Sequence, residues 1–145
     1  IYSGWRISEL LNLKPEDIDL QAGTMKGGTK TKAGKNRLVP IHSKIRPLIE
    51  ARLAESGPRL ISYNGKSCSI SQYRIFWANI MKGLGMNHTP HECRHTFETQ
   101  LDSAGANRKC IDLLMGHVSK DTGNRVYNHK TLDELKAAVE MINIF

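Results

Sequence analysis

The chain has 145 residues, enough for one domain with a real core, and no apolar run approaches the roughly 20 residues of a membrane helix. Lysine and arginine outnumber aspartate and glutamate by 21 to 14, and the resulting charge of +7 suits an anionic partner such as nucleic acid. The three cysteines, Cys68, Cys93 and Cys110, form no CxxC pair, which argues against a disulfide framework or zinc ribbon and for free thiols in a reducing, cytoplasmic setting. The chain opens on Ile1 rather than Met, and nothing inside it reads as a repeat, low-complexity tail or linker. The expectation is a single domain over 1–145, taken from a longer protein whose N-terminal neighbour is missing.

In SGWRISELLNL, Trp5, Ile7, Leu10, Leu11 and Leu13 fall at helical spacing, Arg6 and Glu9 lie three apart, and Pro15 follows the end. Residues 17–41 read as a small antiparallel sheet with a hairpin near Gly34. A helix over 43–56 tolerates Pro47 only in its first turn. RLISY fits either a short strand or a loop. Residues 69–84 read as an amphipathic helix carrying Ile70, Tyr73, Phe76, Trp77, Ile80 and Met81.

HTPHECRHTF opens the next helix. Thr89 is a good N-cap, Pro90 suits the first helical position, and Glu92 completes a Thr-x-x-Glu capping box. This helix runs to about Ala104 and stops at Gly105. Asn107 caps a further helix, whose Ile111, Leu113, Leu114 and Met115 end at Gly116. A short helix carries Tyr127, and residues 132–144 form a last amphipathic helix. The fold class is α+β, mostly helical, with one small sheet near the start packed on the helices.

His91 and Arg94 share a face in a helical first turn, where unpaired N–H groups already favour an anion. Cationic side chains there are electrostatically awkward unless an anion sits among them. The planar fork of arginine suits phosphate oxygens. Arg6, on a distant helix, is a second candidate, and Lys30 and Lys32 lie on a strand or turn able to reach the same place. Taken singly, each has a plainer reading: a solvated surface arginine, a histidine in a loop after glycine, a packing tyrosine. Zinc is the competing use of His88, His91, Cys93 and His95. Yet Cys93 falls on a different side of the helix from the His pair, and no second Cys/His pair follows at ligand spacing.

The ordered set SGWRISELLNL, TKTKAGKNRLVPI, HECRHTFETQL, LLMGH and NRVYNH resembles the successive motif boxes of the tyrosine recombinases, the phage-integrase family, over nearly the whole chain. The resemblance implies that fold and a DNA strand-transferase. Arg6 matches the first family arginine and Arg94 the second, which grip the non-bridging oxygens of the scissile phosphate. His91 matches the histidine of His-x-x-Arg, His117 that of Gly-His, and Tyr127 the nucleophile. The family's general-acid lysine lies on the hairpin: Lys30, in a Lys-Thr pair, is preferred, and Lys32 fits members with a shorter hairpin. Glu9, His95 and His129 take supporting places. The implied partner is double-stranded DNA at attachment sites, with tetramers forming on DNA in the full-length protein. The missing neighbour would be the family's DNA-clamping N-terminal domain, and the setting the cytoplasm of a bacterial host. The last helix either packs on its own domain or docks on a neighbouring protomer.

The residue types suit that chemistry in their own right. A phosphodiester under attack goes from one negative charge towards two, which guanidinium and imidazole groups stabilise electrostatically. A tyrosine oxygen is a fair nucleophile once its proton has an acceptor. The leaving deoxyribose oxygen needs a proton, which a lysine can give. Neither a P-loop nor a carboxylate cluster for Mg²⁺ appears in the sequence, so the expected reaction uses no metal and no cofactor. Two other functions fit: a catalytically silent DNA-binding accessory domain, and a type IB topoisomerase-like relaxing enzyme.

Overall fold

A computed structural model of the chain describes residues 1–28, 34–117 and 131–144. The predicted opening helix is a single turn, α1 (Ile7–Leu10), begun by Arg6 in an extended conformation. It stops early because Lys14 precedes a proline and is forced extended, at φ −101° and ψ 161°. The chain then dips inward: Leu13 is buried, and its carbonyl accepts from the Leu60 amide at 2.9 Å.

After a 3-10 turn at Pro15–Asp17, strands β1 (Ile18–Asp19), β2 (Thr24–Gly27) and β3 (Arg37–Pro40) form an antiparallel sheet in that order. Met25 pairs with Val39, and both are buried; Lys26 pairs with Leu38, and both are exposed. The two-residue alternation therefore puts Arg37, two before Val39, on the core side of the sheet. A second 3-10 turn, Ser43–Ile45, leads into α2 (Arg46–Ala54), with Pro47 in its first turn. RLISY contributes to a two-stranded hairpin, β4 (Ser62–Tyr63) and β5 (Lys66–Ser67). Asn64 and Gly65 turn it with positive φ, as tight hairpins require.

Helix α3 (Ile70–Gly83) starts with a Ser69–Gln72 capping box as its sequence suggests. Its apolar residues do not form part of the core: no residue of α3 is buried, and Ile75 and Ile80 are 60% and 55% exposed. Helix α4 (Pro90–Ser103) carries the anticipated Thr89–Glu92 capping box and buries Arg94, Phe97 and Leu101 along one stripe. Helix α5 (Arg108–Met115) is capped by the Asn107 side chain and ends at Gly116 in the left-handed conformation, φ 64°. Phe97, Leu101, Ile111, Leu114 and Val39 are fully buried together and form the centre of the core.

Helix α6 (Leu132–Glu140), shorter than the predicted 132–144, buries Leu135, Ala138 and Val139, with Ile142 following them into the core. It packs on α5 and β3 of its own chain. Ser43 donates to Glu140 through its amide at 2.6 Å and its hydroxyl at 2.7 Å. The ring of the buried His42 donates from Nε2 to the Ile142 carbonyl at 2.9 Å, while its Nδ1 accepts from the Lys44 amide at 3.0 Å. Cys68 and Cys110 are buried and Cys93 is half-buried, all as free thiols.

Candidate active site

Arg94 lies at the centre of the site. Its place on the buried stripe of α4 sends its guanidinium inward rather than to solvent. Nη1 donates to the Gly4 carbonyl and Nη2 to the Met115 carbonyl, joining the segment before α1 to the end of α5. Gly4 makes room for this. It has φ +60°, and a Cβ there would lie 2.5 Å from the Phe97 ring.

His117 follows the left-handed Gly116 that closes α5, so the turn delivers its ring to Arg94: Nη2 lies 3.4 Å from His117 Nε2. A guanidinium has only donors, so Nε2 accepts and the neutral ring carries its proton on Nδ1. That nitrogen faces Glu98 Oε1 at 3.9 Å. Glu98 is also paired with Arg108 at 3.1 Å. It sits one helical turn beyond Arg94, a spacing that could have identified it from the sequence.

Arg6 reaches the same place through Glu9. The Glu9 carboxylate is wholly buried. Oε1 accepts from Arg6 Nη1 at 3.1 Å, and Oε2 accepts from the Arg6 amide at 3.1 Å and from Arg37 Nη2 at 2.9 Å. Burial alone would raise the Glu9 pKa, but the hydrogen bond and charge of Arg37, then those of Arg6, hold it below the usual carboxylate range. The pKa of Arg94 is pushed down to about 10, first by burial and then by the charges of Arg6 and Arg37. It stays charged at neutral pH, beside a Glu9 carboxylate that already pairs with two other guanidinium groups, those of Arg6 and Arg37. Such an excess of buried positive charge is a place for an anion.

The structure thus brings together Arg6, Arg94 and His117 from three distant parts of the chain. His91 is exposed in the first turn of α4, and its described contact is an edge-on packing with His95, ring centroids 4.6 Å apart. No described contact ties it to Arg94. Lys30, Lys32, Tyr127 and His129 lie outside the described residues. Sequence reading missed Arg37. Its signal is the alternation of β3, which turns an arginine inward and Leu38 outward.

A helical domain with a small antiparallel sheet and an arginine–histidine cluster is the arrangement that the resemblance to the tyrosine recombinases implies. Comparison with known proteins agrees. The chain belongs to the Phage integrase family, whose profile matches residues 1–134. It is similar to the tyrosine recombinase XerA of Pyrococcus furiosus, 32% identical over 98% of this chain and 51% of that one. It is also similar to the tyrosine recombinase XerC of Thermodesulfovibrio yellowstonii, 32% identical over 92% of this chain and 48% of the relative. Among solved structures, a XerA recombinase matches with a TM-score of 0.71 and 26% identity, covering 94% of this chain and 52% of that chain. An integrase from mycobacterium phage Brujita shares the fold at a TM-score of 0.71 and 21% identity, over 98% and 48% of the two chains. The chain therefore spans about half the length of the curated relatives it matches.

Proposed function

We propose that this chain is the catalytic domain of a site-specific DNA recombinase of a phage or mobile element, acting on double-stranded DNA as part of a tetramer. Its N-terminal partner in this reading is a DNA-clamping domain, and its setting is the cytoplasm. The observation that carries the proposal is the convergence of Arg6, Arg94 and His117 in a cluster with surplus positive charge. Membership of the family supports it.

In this reading Arg6 and Arg94 hold the non-bridging oxygens of the scissile phosphate. The Tyr127 oxygen attacks phosphorus, its proton passing to His91. The bond from phosphorus to the 5′ oxygen breaks, and that oxygen takes a proton from Lys30. His117 hydrogen-bonds the phosphate as charge builds up on it. The product is a 3′-phosphotyrosyl link and a free 5′-hydroxyl. One ester has replaced another of similar energy, so a partner strand's hydroxyl can reverse the step without nucleotide hydrolysis. Each element named is a group that stabilises charge or moves a proton.

The test is a nicked duplex carrying a candidate attachment site, from which the freed segment diffuses away and leaves the adduct trapped. The wild-type chain should give a covalent protein–DNA band on a denaturing gel, and Tyr127→Phe should bind DNA without giving one. DNA bound by the wild type with no adduct would select the silent accessory domain. An adduct from Tyr127→Phe would show that the nucleophile is another residue. The general acid is separated by a substrate whose leaving oxygen is sulfur. Thiolate leaves without a proton, so that substrate should restore cleavage to Lys30→Ala; rescue of Lys32→Ala alone would move the role to Lys32.

A further inference from the structure

We propose that Arg37 is a positioning residue for the phosphate clamp, setting the Arg6 guanidinium through Glu9. The inference rests on the anion-holding role proposed above for Arg6 and Arg94.

Arg37 is costly where it stands. Its side chain is 3% exposed, and its buried Nε and Nη1 have no hydrogen-bond partner among the described residues. Its guanidinium carbon lies 4.0 Å from the centre of the Trp5 ring, a cation–π contact that offsets part of the cost. On a core-facing strand position next to Val39, an apolar side chain of similar size would serve stability as well or better. The arginine does something an apolar residue cannot: its Nη2 fixes Oε2 of Glu9. That leaves Oε1 aimed at Arg6 Nη1. Without Arg37 both carboxylate oxygens would bond Arg6 alone, Oε2 through its amide and Oε1 through its guanidinium, and nothing would tie that pair to β3. Anchored to β3 by Arg37, the carboxylate presents Arg6, whose side chain is still 21% exposed, in one orientation. Trp5 adds to this, because the ring that supports Arg37 belongs to the residue just before Arg6. Arg37 thus touches no reacting atom and acts through Glu9.

The test is a double-mutant cycle read by titration of the chain with inorganic phosphate, at ionic strength matched with chloride. Arg6→Ala should weaken phosphate binding about tenfold, the loss of one charge-assisted hydrogen bond. Arg37→Met, which keeps the stem on Trp5, should weaken it by nearly the same factor. The double variant should be no weaker than Arg6→Ala alone, because both changes remove the same oriented guanidinium. Arg37→Lys keeps the charge but not the fork and should behave as Arg37→Met; it also gives a second cycle should the methionine variant unfold. Factors that multiply in the double variant, or full affinity in Arg37→Lys, would overturn positioning and leave a through-space charge effect. A wild type that binds phosphate no better than chloride would overturn the clamp and this inference together. A chain that passes the cycle yet forms no DNA adduct would sink the recombinase chemistry and leave the role of Arg37 standing.

Discussion

The guanidinium of Arg94 is buried, spans two carbonyls from different segments, and lies among two like charges. Among the described residues, the charges of Glu9 and Glu98 act against that excess and raise the Arg94 pKa. Glu9 is therefore the residue on which the charge balance of the cluster rests. Its carboxyl binds a proton less readily folded than unfolded, because Arg37 and Arg6 outweigh its burial. The sign follows: its contribution is fully present above the ordinary glutamate value of about 4.3 and is lost as pH falls through the lower folded value. Glu9→Gln should destabilise the chain by about 3 kcal/mol at pH 7, since it leaves buried guanidinium groups unpaired. Urea unfolding at pH 7 and below about pH 4 checks this: the gap between wild type and variant should narrow in acid, and a constant gap would mean that Glu9 acts through packing.

At the scale of elements, the site is built from ends rather than middles: the entry to α1, the first turns of α4, and the exit from α5. Capping signals made these ends legible in the sequence, and Thr89, Asn107 and Gly116 stand where the pattern put them. Less legible was what pairs across long separations. Glu9 and Arg37 are 28 residues apart, and only the strand register, with Gly27 opposite Arg37, turns that arginine inward. The family resemblance supplied the names of Arg6, Arg94 and His117 but not the path by which Arg6 is held. Gly116 shows how closely the elements fit. A Cβ there would lie 2.8 Å from Gly34 Cα, at the base of the hairpin, and the left-handed backbone disfavours any side chain. Gly116→Ala should cost about 1–2 kcal/mol in denaturant unfolding from strain alone. In the proposed reaction it should also slow cleavage beyond that loss, because His117 is the next residue and the hairpin beside it must shift. A variant with wild-type cleavage would mean that this contact does not set the site.

Across the whole molecule, one core serves both stability and function: Phe97 fills the space under Gly4, whose carbonyl accepts from Arg94. The sequence placed α4 by its capping residues and left its buried stripe unread, whereas the periodicity of α3 predicted an apolar face that the described residues do not cover. Period alone shows that a face is apolar; burial depends on what packs against it, which is a property of the tertiary arrangement. The two helices therefore predict opposite responses to the same kind of change. Phe97→Ala empties a fully buried position and should cost about 3–5 kcal/mol, with loss of the anion site as Gly4 relaxes. Ile80→Gln on α3, where the side chain is more than half exposed, should change stability by no more than about 0.5 kcal/mol and leave phosphate binding intact. Thermal or denaturant unfolding of the two variants beside the wild type makes the comparison. A loss at Ile80 approaching that at Phe97 would place α3 in the cooperative core, against the arrangement described here.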